Sequence, residues 1–154
     1  METIEQNTIV YSTEGKLPRI EKVLYTGKTH TTGGREGASL SSDGRLDIKL
    51  AHPGTKRIGT NPEQLFAAGW SACFMGAMGI AAGPLKIALP SDAAVDAEVD
   101  LGTIDGGYFL QARLNVSLPG LDRELAHSLV ETAHQTCPYS KLTRGNINVT
   151  IALV

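Results

Sequence analysis

The chain has 154 residues, 14 basic and 16 acidic side chains and a formal charge of −2. That is length for one domain with its own core, and it gives no electrostatic case for holding nucleic acid or an anionic membrane surface. Two cysteines are too few to staple a secreted scaffold, and the opening METIEQNTIVYSTEGK lacks a basic region followed by an apolar stretch. A cytoplasmic chain with two reduced thiols is therefore expected.

Residues 1–20 are polar and patternless and read as an extension to a domain covering 21–154. EKVLYTGKTHTT, from Glu21, is rich in β-branched residues and predicts a strand. TTGGREG follows as a turn, and ASLSSDGRLDIKL as a short hairpin around Asp43-Gly44. AHPGTKRIGT is a loop. Asn61-Pro62-Glu63 then opens a helix with a capping residue, a first-turn proline and an acid at the positive end. Gly83-Pro84 ends it near Ala82. Val95, Ala97, Val99 and Leu101 next alternate with acids, and after a DGG turn Tyr108 to Leu118 alternate again, predicting a long hairpin with one dry face. Asp122 caps a second helix whose stripe is Leu125, Leu129, Ala133 and Cys137, and Pro138 follows at once. Ile147 to Leu153 form the last strand. The order describes an α+β fold, mostly antiparallel sheets packed around two central helices.

From Leu65 to Leu85 the first helix carries no charge or histidine. It is long enough for a membrane span. Its alanine and glycine content and the lack of flanking Lys or Arg clusters favour instead a helix apolar on every side at the centre of a globular domain. Cys73 lies in its middle and Cys137 ends the apolar stripe of the second helix, so two buried thiols could meet. Taken singly, each reads as a small hydrophobe.

GTNPEQLFAAGWSACFMGA (59–77) and HQTCPYSKLTRGNINV (134–149) closely resemble the two cysteine motifs of the organic hydroperoxide resistance (Ohr) branch of the osmotically inducible protein C (OsmC) superfamily. KVLYTGKTHTTGGREGASLSSDGRLDIKL (22–50) is similar to the family's N-terminal part, so the resemblance spans residues 21–154. It implies an intertwined homodimer and a thiol peroxidase acting on organic hydroperoxides in oxidative-stress defence. By position it implies that Cys73 is the peroxidatic cysteine, Cys137 the resolving one, Arg35 the arginine that activates the thiol and Glu63 the glutamate that holds that arginine. No bound cofactor or metal is implied; the reductant is an external dithiol, dihydrolipoamide or a lipoylated carrier protein. The chain departs from the pattern in the loop AHPGTKRI (51–58), which lacks the usual glycine-rich stretch, and at Trp70, where tyrosine is more usual.

Elementary chemistry supports these roles. A thiol in the middle of an apolar helix is pushed above its free pKa of about 8.5, so Cys73 needs a cation from a distant segment. Guanidinium keeps its charge when partly desolvated, and a buried arginine needs a counter-charge such as Glu63. Without the resemblance, Arg35 reads as a solvated turn residue and Glu63 as an acid on the helix dipole. Glu63 and Cys73 are about 15 Å apart along one helix, so a single arginine can hardly touch both. Arg35 and Glu63 are therefore expected to complete the Cys73 site of a partner subunit. Phe66, Trp70, Phe74 and Met78 are expected to line an apolar substrate pocket. Two rivals stand beside this reading: an OsmC-branch peroxidase of broader specificity, and a zinc-binding protein using Cys73, Cys137 and a nearby histidine. His127, Glu131 and His134 share a face of the second helix, read as solvated.

Overall fold

The computed structural model describes residues 17–154, so most of the expected extension lies outside the described residues. Two three-stranded sheets carry the fold. β1 (Thr29–Thr32), β2 (Ala38–Ser41) and β3 (Asp47–Lys49) form one, in that order and antiparallel. α1 (Pro62–Ala82) follows. β4 (Ala94–Ile104) and β5 (Gly107–Ser117) form the long hairpin, closed by Asp105 and Gly106, both at positive φ as a two-residue hairpin turn requires. α2 (Arg123–Thr136) and a short α3 (Pro138–Thr143) then cross over, and β6 (Asn148–Leu153) joins β5. β6 runs parallel to β5, so the second sheet is mixed.

The helix starts follow the sequence closely. Asn61 Oδ1 accepts the Gln64 N–H and Asp122 accepts the Leu125 N–H, each satisfying a donor that the first turn leaves free. Trp70, Phe74, Ala77, Met78 and Ala82 form one face of α1, which packs with Ala112, Leu114 and Val116 of β5 and with Ala126, Val130 and Ala133 of α2. Full burial of each large side chain there contributes about 1.5–3 kcal/mol. α1 is apolar and long enough to cross a membrane by composition, and this packed face is the use the fold makes of it.

Three expectations are corrected. Of the strand predicted from Glu21, only Thr29–Thr32 is a strand, with Lys28 adding one backbone bond to Ser42. Val23, Leu24 and Tyr25 within it are 68–86% exposed, because β-branched and aromatic content makes a strand only where there is a partner to pair with. α1 is covered on one side only: Ala68, Ala72, Gly76, Gly79 and Ile80 are open, since α2 and the β4–β5 hairpin reach only the opposite face. The hairpin's dry face also outruns the core, leaving Leu101 and Tyr108 exposed near its tip, where Ile104 and Phe109 are exposed on the other face. α3 itself was not expected from the sequence.

Candidate active site

Cys137 ends α2 and caps α3, and its backbone N–H still bonds the Ala133 carbonyl. Pro138 takes the first position of α3, where its missing N–H costs nothing. This corner sets Cys137 Sγ 3.4 Å from Cys73 Sγ in the middle of α1. Both thiols are free. Cys137 has no accessible surface, whereas Cys73 is partly exposed, so reagents can reach only one of the two sulfurs directly. Burial pushes the Cys73 thiol up, and the backbone N–H of Tyr139 pulls against that by favouring the thiolate. Tyr139 was missed in the sequence. The signal was Cys137-Pro138, since a proline at a helix start leaves the next N–H groups without partners inside the helix.

Arg35 lies in the turn between β1 and β2. Gly33 sits at φ 72°, and a Cβ at Gly37 would lie 1.7 Å from the Thr32 carbonyl oxygen, so the turn closes only with glycine there. The turn directs Arg35 at Glu63 in the first turn of α1. Nη1 donates to Oε2 at 3.0 Å and Nη2 to Oε1 at 2.6 Å, a two-pronged pair. The arginine lowers the Glu63 carboxyl, and the carboxylate raises the arginine. The pair borders a 710 Å³ cleft walled by His52, Val99, Leu101 and Tyr108. Neither sulfur lines that cleft. The groups acting on the Cys73 thiol are Tyr139 and Cys137, and Arg35 is not among them.

The four residues expected to do chemistry thus form two pairs within one chain: a sulfur pair and an ion pair. The four expected to line a pocket divide differently. Phe66 is partly exposed, with its ring 5.5 Å from Trp70 and 6.0 Å from Tyr139. Trp70, Phe74 and Met78 have no accessible surface and form the core floor, so the lining expectation is corrected for these three. At helical spacing they face β5 and α2, away from solvent. His127 and Glu131 stand 3.8 Å apart on the open side of α2. Among the described residues, no three His, Cys, Asp or Glu side chains converge as a metal site would need.

Residues 53–152 match the family described as OsmC-like protein. The chain belongs to that family. It is 50% identical over 137 residues to an organic hydroperoxide resistance protein of Xanthomonas axonopodis pv. citri, covering 86% of this chain and 96% of the relative. The fold matches the crystal structure of the organic hydroperoxide resistance protein OhrB of Bacillus subtilis with TM-score 0.80 and 43% identity, over 86% of this chain and 100% of that one. An organic hydroperoxide resistance protein from Legionella pneumophila matches with TM-score 0.79 and 41% identity, over 86% and 98% of the two chains. The OsmC-like fold is therefore shared across nearly the whole described chain.

Proposed function

We propose that this chain is a cytoplasmic, homodimeric, cysteine-based peroxidase that reduces organic hydroperoxides in defence against oxidative stress. The observation that carries the reading is the pair of free sulfurs 3.4 Å apart, one reachable and one sealed. The names of the relatives support the substrate class. The Cys73 thiolate attacks the distal oxygen of ROOH, the O–O bond breaks, and the products are a sulfenic acid and, after protonation, the alcohol ROH. The Cys137 thiol then attacks the sulfenic sulfur: an S–S bond forms, the S–O bond breaks, and water leaves. An external dithiol, dihydrolipoamide or a lipoylated carrier protein, returns both thiols and takes up the disulfide oxidation state. No bound cofactor or metal enters these steps.

Arg35 and Glu63 serve the Cys73 of a second subunit in this reading. Three features support it: the distance along α1, the absence of Arg35 from the groups acting on its own Cys73, and the bare apolar surface each chain presents. The open face of α1, the segment 17–28 and the hairpin tip are the surfaces a second copy would cover. Val99, Leu101 and Tyr108 beside Arg35 give the hydroperoxide an apolar wall. An alkyl chain gains about 0.8 kcal/mol per buried CH₂ there, whereas hydrogen peroxide gains none, so kcat/KM rises with alkyl length. The test is intact-mass analysis after one equivalent of an alkyl hydroperoxide. A loss of two hydrogens in wild type, and a gain of one oxygen in Cys137→Ser, support the reading. An unmodified chain overturns it.

A further inference from the structure

The sulfur contact has a parallel tie one turn away. Trp70 precedes Cys73 by three residues on α1, and Ser140 follows Cys137 by three residues at the start of α3. The indole N–H of Trp70 donates to Ser140 Oγ at 3.2 Å, and neither residue has any accessible surface. A hydrogen bond sealed from water cannot be exchanged for one to solvent, so breaking it leaves a buried donor unpaired. Next to it the Tyr139 ring lies over Gly69, where an added Cβ would come within 3.1 Å of the phenol oxygen. Phe66 closes the same side. α3 is therefore held on α1 along the row Gly69, Trp70 and Cys73, facing Tyr139, Ser140 and Cys137.

We infer that Trp70 and Ser140 are positioning residues for the sulfur pair, their hydrogen bond clamping α3 onto α1 so that the Cys137 sulfur stays within reach of Cys73. The sulfurs must close from 3.4 Å to about 2.05 Å to form a disulfide. Clamping the two backbones makes that a short approach and raises the effective concentration of one sulfur at the other. The clamp touches no reacting atom. It acts on the second step, disulfide formation, and not on the first, the reaction of Cys73 with peroxide. The inference rests on the peroxidase reading for its place in turnover, but the clamp can be measured without peroxide.

The experiment compares wild type with Ser140→Ala, Trp70→Phe and the double variant, in two assays. In glutathione redox buffers, the two thiols and one glutathione disulfide exchange for the protein disulfide and two glutathione thiols, and mass analysis reads the ratio. Each single variant lowers that equilibrium constant about tenfold, which is about 30 mV for a two-electron couple, and the double variant is no worse than either. In rapid-mixing kinetics with an alkyl hydroperoxide, Cys73 oxidation stays within about twofold while disulfide formation slows by about tenfold. Ser140→Ala removes one oxygen from the core, so it keeps the test open if Trp70→Phe does not fold. An unchanged glutathione equilibrium, additive losses, or equal slowing of both steps overturns the clamp. If wild type ignores hydroperoxide while the equilibrium still shifts in the variants, the clamp stands and the peroxidase reading fails.

Discussion

The sulfur pair and the ion pair occupy different places on the same helix, and different physics holds each of them. Cys73 and Cys137 meet because α1 and α3 pack on one core, with Trp70, Phe74 and Met78 beneath them fully buried. Arg35 and Glu63 meet at the first turn of α1 because a turn closed by glycines carries the arginine there, where two hydrogen bonds hold it. The Arg35 side chain is 37% exposed, against 14% for Glu63. One pair is half sealed and lacks a cation; the other is a cation and its counter-ion at the edge of an apolar cleft. Each half holds what the other needs, as the proposed assembly of two chains requires.

The sharpest break in this comparison comes from the sulfur pair. Cys73→Ser removes turnover altogether, since a serine hydroxyl does not accept peroxide oxygen, whereas Cys137→Ser still takes one oxygen and then stalls. A steady-state peroxide assay alongside intact mass separates the two. Equal behaviour of the variants contradicts the assigned roles.

Breaking the ion pair costs less. Arg35→Ala raises the midpoint of Cys73 alkylation by about 1–3 pH units, the range for losing a close opposite charge, and slows peroxide reaction at neutral pH tenfold or more. A pH profile of alkylation reads this directly. An unmoved midpoint means that the Tyr139 N–H alone tunes the thiol.

The bare surfaces predict the next effect. Ile80→Asp lies on the open face of α1 and is 78% exposed in one chain. On a free surface such a change stays within about 0.5 kcal/mol. Buried between two copies, the unpaired carboxylate destabilises the dimer by several kcal/mol. Sedimentation is expected to show monomer, and activity to fall with it. A dimer that remains intact removes this face from the interface.

The smallest effects are in stability against pH. Glu63 has its folded pKa below the unfolded value of about 4.3, so its contribution is present above that pH and is lost as pH falls through the lower folded value. Burial, with Arg144 adding to it, lowers His134, whose contribution is likewise present above about 6.5 and lost on acidification. Denaturant midpoints from pH 8 to pH 3 are expected to decline in both windows. Glu63→Gln flattens only the lower one, and His134→Gln only the upper one.

Local chemistry made much of the fold legible. Asn61-Pro62 and Asp122 mark helix starts by the donors they satisfy, and alternation from Val95 to Leu118 marks the hairpin by period alone. The strand expected from Glu21 failed because pairing is not local: no property of Val23 or Leu24 states which strand lies beside it. The same limit hid the parallel join of β6. Both cysteines were readable as inward-facing, yet periodicity did not give their separation. The lining expectation failed at Trp70, Phe74 and Met78 because an apolar helix in a one-sided environment has two fates for its faces, and spacing around Cys73 does not say which face meets solvent.

The central claim, that Arg35 of one subunit activates Cys73 of another, is tested most directly by mixing subunits. Cys73→Ser and Arg35→Ala chains are each expected to be nearly inactive alone. Co-refolded at random, half of the dimers are mixed, each with one complete site of two, so roughly a quarter of wild-type activity returns. Recovery near that level, lost again when either chain also carries Ile80→Asp, is the predicted result. Mixed dimers demonstrated by mass, with no activity above that of the parent chains, contradict it.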